Sequence, residues 1–497
     1  MAFFLGVDVG TSNVKALVVD GRGRAVARAS EPLALRTPHP GWAEQDPAAW
    51  WKAATRAIRR AVGQGRSARK IDAVGLSGQM HSSVFLDRAN RVIRPALLWC
   101  DGRTTAECRE ITQRVGEQSL RAWVSNPALE GFTLPKILWL RNHEPAAFER
   151  LAKVLLPKDY LRLQLTGALA TELSDASGTL LLDVANRRWS RDMLDAMELS
   201  PDLLPAVGGS TEVLSTISTA AARATGLTAG TPVVGGGADN ACGAVGVGAV
   251  APGAVVASWG TSGTVLCPTD APKVDPQMRA HTFCHAAPDT WYVMGVMLTA
   301  GGAFAWYRQQ LAPELARKKD ADVLLNREAA KAPIGALDLT FLPYLQGERT
   351  PHRDAAARGA FVGLSLAHTR AHLTRAVLEG ICFGLRDSLE IIAALGMNVS
   401  DVMITGGGAN APFVRQLQAD VYGKPVIPVD QPEGPALGAA LLAAVGVGGF
   451  RDLGAAAATI KRRPPVAPKP AAHAAYDAPY RRFGRLYPAL RDARSES

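Results

Sequence analysis

The chain has 497 residues, more than one hydrophobic core usually supports, so its length predicts two domains. With 47% hydrophobic and 20% charged residues it has the composition of a soluble globular protein, and its six scattered cysteines lack metal-ligand spacing and fit a reducing compartment. The net charge of +10 suggests anionic ligands, but the basic residues lack the aromatic pattern of nucleic-acid-binding proteins, so we expect no nucleic-acid partner.

The first residues, "AFFLGVDVG", read as a strand. No basic segment precedes them, so we expect no signal peptide. The most apolar window, 243–259, is interrupted by glycines and by Pro252, and we therefore expect no membrane span. Together these features predict a cytoplasmic protein.

The N-terminal region alternates strands and tight turns before its first helix. Three strands are predicted, over 3–9, 14–20 and 25–33. Asp46 and Pro47 have the residue types of an N-cap and a first helical turn, so a helix is predicted to begin there. A further pair of strands, 71–79 and 81–87, is predicted to follow that helix.

Two features of the first half of the chain recur in the second half. The triplet Gly-Thr-Ser stands at 10–12 and again at 260–262, each time between strand-like segments. A helix of small residues is predicted at 238–250 and again at 434–446. The same ingredients in the same order indicate a duplication, with two α/β domains, each around one sheet, that meet at a cleft.

The repeated turn offers a way to bind phosphate. Glycine allows close backbone approach, successive N–H groups point into the bend, and the threonine and serine hydroxyls add donors. Two such turns on facing domains can hold a polyphosphate from both sides, although two ordinary polar hairpins would have the same sequence. The chain contains no GxxxxGK[ST] phosphate loop.

Two aspartates lie beside glycine-rich turns. Asp8 ends the first strand, where a carboxylate can hold Mg²⁺ against phosphate oxygens or can simply cap the turn. Asp239 follows three glycines at the start of a predicted helix, where it can be the general base for an attacking hydroxyl, the helix N-cap, or both. The residues alone leave these alternatives open.

Two further segments have the character of ligand-binding loops. "TGGGAN" (405–410) precedes a helix, and its glycines favour either close approach of a flat ligand such as adenine or a plain tight turn. "SGQMH" (77–81) places a glutamine, a methionine and a histidine between two strands. A lone histidine such as His81 is more often structural than a ligand.

These pieces, in this order, resemble the FGGY carbohydrate kinases of the actin, hexokinase and heat-shock chaperone superfamily, over nearly the whole chain. The segment "GAFVGLSLAHTRAHLTRAVLEG" (359–380) has glycine, histidine and glutamate at that family's spacing: Gly359, Gly363, His372 and Glu379. The resemblance implies an α/β fold of two duplicated actin-like, ribonuclease H-like domains around an interdomain cleft. Residues 1–247 would then bind the sugar and carry the catalytic base, and residues 248–497 would bind the nucleotide.

Three segments are most similar to family members that phosphorylate D-xylulose: "GLSGQMHSSVFLD", "LSDASGT" and "FLPYLQGERTPH". The resemblance therefore implies ATP-dependent phosphorylation of D-xylulose to D-xylulose 5-phosphate, with ATP and Mg²⁺, in a homodimer. Two alternatives remain. One is a kinase of D-ribulose, L-xylulose or a pentitol, and the other is an actin-like ATPase that is no kinase.

The family's functional residues carry over as follows. Asp239 resembles the base that deprotonates the C5 hydroxyl, and Asp8 resembles the aspartate near Mg²⁺ and the transferred phosphate. The sugar-binding positions are Gln79, Met80, His81, Asp239 and Asn240. The nucleotide-binding positions are Thr11, Ser12, Thr261, Ser262, Gly263, Gly407, Gly408 and Asn410.

One position departs from the family pattern. Where such kinases commonly read Trp-Asn-Asp-Gly-Arg, this chain reads "WCDGR" (99–103), with Cys100 in place of asparagine. Because cysteine is a poor hydrogen-bonding residue, a polar contact from this position is in doubt. We expect Cys100 to pack as a small hydrophobic residue rather than to act as a reactive thiol.

Overall fold

Two mixed β-sheets organise the chain, one in each half. The computed structural model describes residues 2–63, 69–429 and 434–495. The first sheet has the strand order Val213–Thr216, Pro232–Val234, Ala73–Gly78, Phe3–Val9, Asn13–Asp20 and Ala25–Pro32, with Gly237–Ala238 also paired to Ala73–Gly78. The second sheet has the strand order His281–Cys284, Trp291–Met297, Gly263–Thr269, Val255–Trp259, Val402–Gly406 and Val426–Pro428.

Five strands of each sheet correspond in order and direction. Phe3–Val9 is central in the first sheet, and Val255–Trp259 is central in the second. Each forms an antiparallel hairpin with the strand that follows it and a parallel pair with a strand that arrives after a helix. In both sheets a further parallel strand and a further antiparallel strand complete the set. This shared topology confirms the predicted duplicated two-sheet α/β fold.

Helices cover both sheets and fill the connections between their strands. In the described part of the chain, α-helices span Pro47–Val62, Thr105–Val115, Glu117–Val124, Thr133–His143, Pro145–Phe148, Pro157–Thr166, Leu173–Ala176, Arg191–Ala196, Thr219–Thr225, Asp239–Val247, Gly301–Leu311, Pro313–Ala316, Ala321–Ala329, Arg370–Ala394, Pro412–Tyr422, Gly434–Gly446, Leu453–Ala457 and Pro470–Ser495. Within these described residues, none of the helices combines the length and the apolar character needed to cross a membrane.

Five short two-stranded sheets accompany the two large sheets in the described residues. They pair Glu44–Gln45 with Ala96–Leu97, Val84–Leu86 with Lys153–Leu155, Ala170–Glu172 with Ala206–Gly208, Leu182–Asp183 with Arg188–Trp189, and Thr340–Leu342 with Ala360–Val362.

The first helix begins where the sequence predicts it. The Asp46 side chain accepts a hydrogen bond from the backbone N–H of Ala48 at 2.9 Å, and Pro47 is the first helical residue. Trp50, Ala54 and other small or apolar residues of the Pro47–Val62 helix are buried. The three predicted N-terminal strands are likewise present.

The predicted strand pair over 71–79 and 81–87 is wrong as a pair. Ala73–Gly78 runs parallel to Phe3–Val9 in the first sheet, whereas Val84–Leu86 pairs with Lys153–Leu155. Between the two strands His81 has a φ of 67°, in the left-handed region. That conformation turns the chain out of the sheet before the second strand begins.

The family-like segment 359–380 stabilises the second half. Thr369 and His372 form a capping box at the start of the Arg370–Ala394 helix. The Glu379 carboxylate is buried and accepts hydrogen bonds from Arg375 at 2.7 Å and from Tyr476 at 3.0 Å. Glu379 therefore holds the C-terminal helix, which contains Tyr476, to the core of the second half.

Two helices of small residues pack together between the sheets. A β-carbon at Gly438 of the Gly434–Gly446 helix would lie 1.8 Å from the carbonyl oxygen of Cys242 in the Asp239–Val247 helix. The same Gly434–Gly446 helix lies on the first sheet, since a β-carbon at Gly6 would lie 1.9 Å from the carbonyl oxygen of Ala436. Only glycine permits such backbone contacts.

We expect Gly438→Ala to destabilise the protein by about 1–3 kcal/mol, because the added methyl group must push two helix backbones apart. Urea unfolding followed by circular dichroism measures the change. Gly484→Ala is the matched control, since Gly484 is exposed in a helix with no atom within 4 Å of the added carbon. Equal unfolding midpoints for the two variants would contradict the proposed contact.

Candidate active site

The carboxyl ends of three parallel strands bring the predicted catalytic residues together. Asp8 lies beside Ser77 in the neighbouring strand, and Ser77 lies beside Gly237 in the next. The chain continues from these strands into 79–81 on one side and into Asp239 on the other. In open α/β sheets, ligands bind outside this edge.

Asp8 and Asp239 form a pair of nearby carboxylates. Asp8 is buried, and burial together with the negative charge of Asp8 raises the pKa of Asp239 to about 7. One Asp239 oxygen, Oδ1, accepts hydrogen bonds from the backbone N–H of Asn240 at 2.7 Å and from its side-chain amide at 3.0 Å. A carboxylate with a pKa near neutrality is suited to general-base chemistry.

The structure excludes the N-cap interpretation of Asp239. The Asp239–Val247 helix has Ala238 at its N-cap, and that end of the helix has no side-chain capping bond. Asp239 is the first helical residue, so its carboxylate does not bond the N–H groups of the next turn. Its second oxygen is left for other partners.

Met80 and His81 are held against the loop that contains Gly178. A β-carbon at Gly178 would lie 2.6 Å from Nδ1 of His81 and 3.1 Å from Cε of Met80. The Asn240 amide donates to the sulfur of Met80 at 3.6 Å. The predicted sugar-binding residues 80, 81, 239 and 240 are therefore close to one another.

His81 is a neutral imidazole of defined tautomer. Burial and the nearby positive charge of Arg349 keep its pKa well below 6.5. Because a carbonyl oxygen only accepts, Nδ1 carries the proton and donates it to the Gly178 carbonyl at 2.6 Å. Nε2 forms no hydrogen bond with the residues that the structure describes and can accept one from a sugar hydroxyl.

Gln79 belongs to the support of the first Gly-Thr-Ser turn. Its carbonyl oxygen accepts from the Thr11 hydroxyl at 3.3 Å and from Ser82 at 3.2 Å, and its amide donates to Gln45 at 3.2 Å and to the Gly10 carbonyl at 3.5 Å. All four hydrogen-bonding positions of the amide are thus taken within the chain. Gln79 orients the turn, which leaves sugar contacts to its two neighbours.

The two hydroxyls of the first Gly-Thr-Ser turn differ in their availability to a ligand. The Thr11 hydroxyl is held by Gln79 and accepts from the indole of Trp99 at 2.9 Å, whereas Ser12 is exposed. Phosphate contact at Thr11 would therefore use the backbone N–H, and at Ser12 it can use the hydroxyl.

The second Gly-Thr-Ser turn lies beside the 405–410 loop. Trp259, just before that turn, is paired with Gly406 across two parallel strands. A cavity of about 840 Å³ is lined by residues of both loops, among them Thr261, Gly407, Gly408 and Asn410. Gly263 lies inside the strand with its α-carbon against Leu385, so its role is packing in the hairpin.

A second cavity joins this region to the base. Its volume is about 640 Å³, and it is lined by residues of both halves, among them Asp239, Asn240, Thr405 and Asn410. Asn410 lies on the wall of both cavities, so the predicted nucleotide-binding loop and the Asp239–Asn240 part of the predicted sugar site border on each other.

Several residues of the site were missed by the sequence analysis. Ser258 and Thr264 flank the second turn and line the cavity of the base. They are cross-strand partners, and each lies two residues outside the Gly-Thr-Ser triplet, which was the available signal. The sequence around Ser174 contained no such signal. In the structure its hydroxyl accepts from the backbone N–H of Ala238 at 3.0 Å and donates to Glu172 at 3.0 Å.

The expectation that Cys100 packs as a hydrophobic residue is wrong, since its side chain is exposed and lines a third cavity together with Trp99. The adjacent Asp101 explains the orientation. Its carboxylate turns inward to accept from the backbone N–H of Ala43 at 2.6 Å and from the Arg103 guanidinium at 2.7 Å. In this turn the preceding side chain faces outward.

Comparison with known proteins gives two matching family models and many similar sequences. Residues 3–246 match the N-terminal domain of the FGGY family of carbohydrate kinases, and residues 255–447 match its C-terminal domain. A xylulose kinase of Escherichia coli (strain K12) is 41% identical over 488 residues, which are 98% of this chain and 99% of that protein.

Solved structures agree over the same length. The crystal structure of a xyloylose kinase from Brucella ovis has a TM-score of 0.91 at 38% identity and covers 99% of this chain and 100% of its own. A gluconate kinase from Lactobacillus acidophilus has a TM-score of 0.92 at 29% identity and covers 98% of both chains. Kinases named for different acceptors thus share this fold.

We expect His81 to stay neutral and protonated on Nδ1 at pH 6, because burial and Arg349 oppose a second proton. Long-range ¹H–¹⁵N spectra of the histidine rings measure both the charge and the tautomer, and a His81→Asn variant assigns the signal. Free histidine in the same tube, with a pKa of about 6.5, is the reference. A ring that protonates together with that reference would contradict the assignment.

Proposed function

The chain belongs to the FGGY family of carbohydrate kinases, which use ATP as the phosphate donor, and we propose that it phosphorylates D-xylulose on the C5 hydroxyl. The observation that carries this proposal is the position of Asp239, with its pKa of about 7, beside Met80 and His81 at the edge of the first sheet. The near-complete alignment with the xylulose kinase of Escherichia coli supports the choice of sugar.

Asp239 is the general base of the proposed reaction. Its free oxygen accepts the proton of the attacking hydroxyl, while Asn240 holds the other oxygen. The proton leaves the hydroxyl as its oxygen bonds to the γ-phosphorus of ATP, and the bond to the bridging oxygen breaks to release ADP. A base of this kind contributes roughly 10²–10⁴-fold to the rate.

Asp8 is the proposed contact for Mg²⁺. The buried Asp8 carboxylate lies close enough to Asp239 to raise its pKa, and a cation at this edge offsets that repulsion, so the residues present fit the ion. Mg²⁺ is typically bound through one or two carboxylates together with phosphate oxygens. When bound, it neutralises charge on the transferred phosphate.

The two Gly-Thr-Ser turns and the 405–410 loop are the proposed ATP site. Ser12 and the backbone at Thr11 face the transferred phosphate, and Thr261 with Ser262 faces the remaining phosphates. Gly407, Gly408 and Asn410 take the adenosine, which the cavity of about 840 Å³ can hold. Alignment of the reacting groups is the main demand of phosphoryl transfer, and two facing turns meet that demand.

Met80, His81 and Asn240 are the proposed sugar contacts. The neutral His81 ring offers Nε2 as a hydrogen-bond acceptor, and the Met80 sulfur packs on the carbon chain. We further propose that the enzyme works in the cytoplasm as a homodimer, and that residues 1–247 and 248–497 are its domains. Six cysteines without disulfides support the cytoplasmic location.

Another acceptor is the principal alternative. The gluconate kinase from Lactobacillus acidophilus shares the fold with a TM-score of 0.92, so the fold alone does not select D-xylulose. One changed side chain in such a pocket shifts the preference. Residues that contact the acceptor, rather than the architecture, decide between the candidates.

The proposed activity predicts that D-xylulose stimulates ADP release from Mg-ATP more strongly than other acceptors do. A coupled assay compares D-xylulose, L-xylulose, D-ribulose, glycerol and D-gluconate at equal concentrations, with an acceptor-free reaction as the baseline. A higher kcat/KM for another acceptor would show that D-xylulose is the wrong acceptor, while the proposal that the protein is a kinase would stand. ADP release that no acceptor stimulates would favour the ATPase alternative.

The raised pKa of Asp239 predicts a pH limb in the wild-type rate. Asp239 acts as a base only when deprotonated, so kcat/KM for the acceptor is expected to fall about tenfold per unit as the pH drops below about 7. Asp239→Asn should lower turnover by about 10²-fold or more, remove the limb from the residual rate and leave ATP affinity unchanged in calorimetry. A limb that persists in Asp239→Asn would assign it to another group.

A further inference from the structure

An arginine whose side chain has no hydrogen-bonding partner among the described residues lies on a cavity that the proposed function has not used. The cavity has a volume of about 940 Å³ and is lined by residues of both halves, including Trp99, Gly131, Glu348 and Arg349. The Arg349 guanidinium makes no hydrogen bond or ion pair with any residue in the described ranges. Burial lowers the pKa of Arg349, although not enough to remove its charge.

Contacts through Lys136 place this arginine next to the sugar segment. The buried Lys136 ammonium donates to the carbonyl oxygens of His81, at 3.3 Å, and of Gly131. A β-carbon at Gly131 would lie 2.4 Å from Nη2 of Arg349, so the guanidinium rests directly on that glycine. One ammonium thus links the backbone of His81 to the residue that Arg349 touches.

Glu130 and Glu348 lie near enough to act on the charge of Arg349, but neither forms an ion pair with its guanidinium among the described residues. His81 and His281 both stay neutral beside Arg349, and burial together with Arg349 lowers the pKa of His281 to about 3. The other arginine close by is already occupied: Arg353 lines the same cavity and pairs with Glu117 at 3.0 Å. The Arg353 guanidinium also donates to the Gln277 carbonyl at 3.2 Å and keeps only Nε without a partner among the described residues, whereas none of the Arg349 side-chain donors is bonded there.

We propose that this cavity receives the end of the acceptor remote from the attacking hydroxyl, and that Arg349 binds the oxygens of that end. The inference rests on the proposed function, since it names a subsite of the same acceptor. In D-xylulose the remote end carries the C2 carbonyl and the C1 hydroxyl.

Arg349 and His81 offer complementary hydrogen-bonding groups to the acceptor. Guanidinium has five N–H donors and no acceptor, so it binds carbonyl and hydroxyl oxygens side by side. His81 Nε2 is an acceptor and can accept a hydrogen bond from a hydroxyl of the acceptor. A ketose with a carbonyl at C2 satisfies both, whereas a ligand that leaves a buried guanidinium without a partner loses affinity.

The test measures binding of D-xylulose by calorimetry in the absence of ATP, together with ADP release. Arg349→Gln is expected to weaken D-xylulose binding and to raise its KM by about tenfold or more, with ATP affinity unchanged. Arg349→Lys keeps the charge but not the planar fork, and it is expected to recover only part of the loss. If thermal unfolding shows that Arg349→Gln does not fold, Arg349→Lys alone provides the test.

Arg88→Gln is the matched control. Arg88 is exposed in the turn after the Val84–Leu86 strand and lines none of the three cavities, so the same loss of charge should change D-xylulose affinity by less than about twofold. The inference would be overturned if Arg349→Gln, Arg349→Lys and the wild type bound D-xylulose with equal affinity. Turnover of D-xylulose by the wild type would still support the proposed function in that case.

The wild-type chain separates the two proposals in the remaining cases. If it turns over another acceptor instead of D-xylulose, the proposed sugar is wrong, and the same variants titrated with that acceptor decide the role of Arg349. A wild-type chain that binds none of the tested acceptors would overturn both.

Discussion

Backbone contact between the Asp239–Val247 and Gly434–Gly446 helices is the constraint on which the site depends. The first of these helices begins at the base, and the second lies on the strand that carries Asp8. Glycines on both sides of the contact let carbonyl oxygens approach to where a β-carbon would stand. Because protein interiors are close-packed, any shift along this contact moves Asp239 relative to Asp8. A helix with larger side chains would separate the two carboxylates and lower the pKa of the base toward its ordinary value.

A buried polar network fixes the backbone just ahead of the base. Lys158 pairs with Asp159 at 2.6 Å and with Asp175 at 3.2 Å, and Glu172 holds Ser174, whose hydroxyl accepts from the N–H of Ala238. Burial raises the pKa of Asp175 well above 3.8. Lys158 also lies 3.5 Å from Glu172, and the Arg162 guanidinium donates to the carbonyl oxygens of Val234 at 2.9 Å and Gly235 at 2.7 Å. Removing one partner of a buried pair leaves an uncompensated charge, so these contacts fix Ser174 and, through it, the backbone N–H of Ala238 next to Asp239.

Local sequence signals predicted the parts of the fold that short segments determine. The repeated Gly-Thr-Ser turns, the helix start at Asp46 and both small-residue helices follow from turn chemistry and side-chain size, and each is present. Strand pairing failed at 71–79 because neighbours in a sheet are chosen by tertiary packing, which a left-handed residue at His81 redirects. The surroundings of Gln79 and Arg349 could not be predicted for the same reason. Gln79 bonds residues far away in the sequence, and the cavity beside Arg349 is lined by segments from both halves of the chain.

Fold and acceptor choice depend on different parts of this chain. The two sheets and their helix contact need glycines and apolar strands, and kinases named for xyloylose and for gluconate have the same fold at similar TM-scores. In the proposed site the acceptor meets only a few buried groups, and their character is set by charge: His81 is neutral because it is buried beside cations, and Lys136 donates to three carbonyl oxygens. A substitution among these groups changes which oxygens can be bound without disturbing either sheet. Acceptor preference in this architecture can therefore change while the phosphoryl-transfer machinery stays constant.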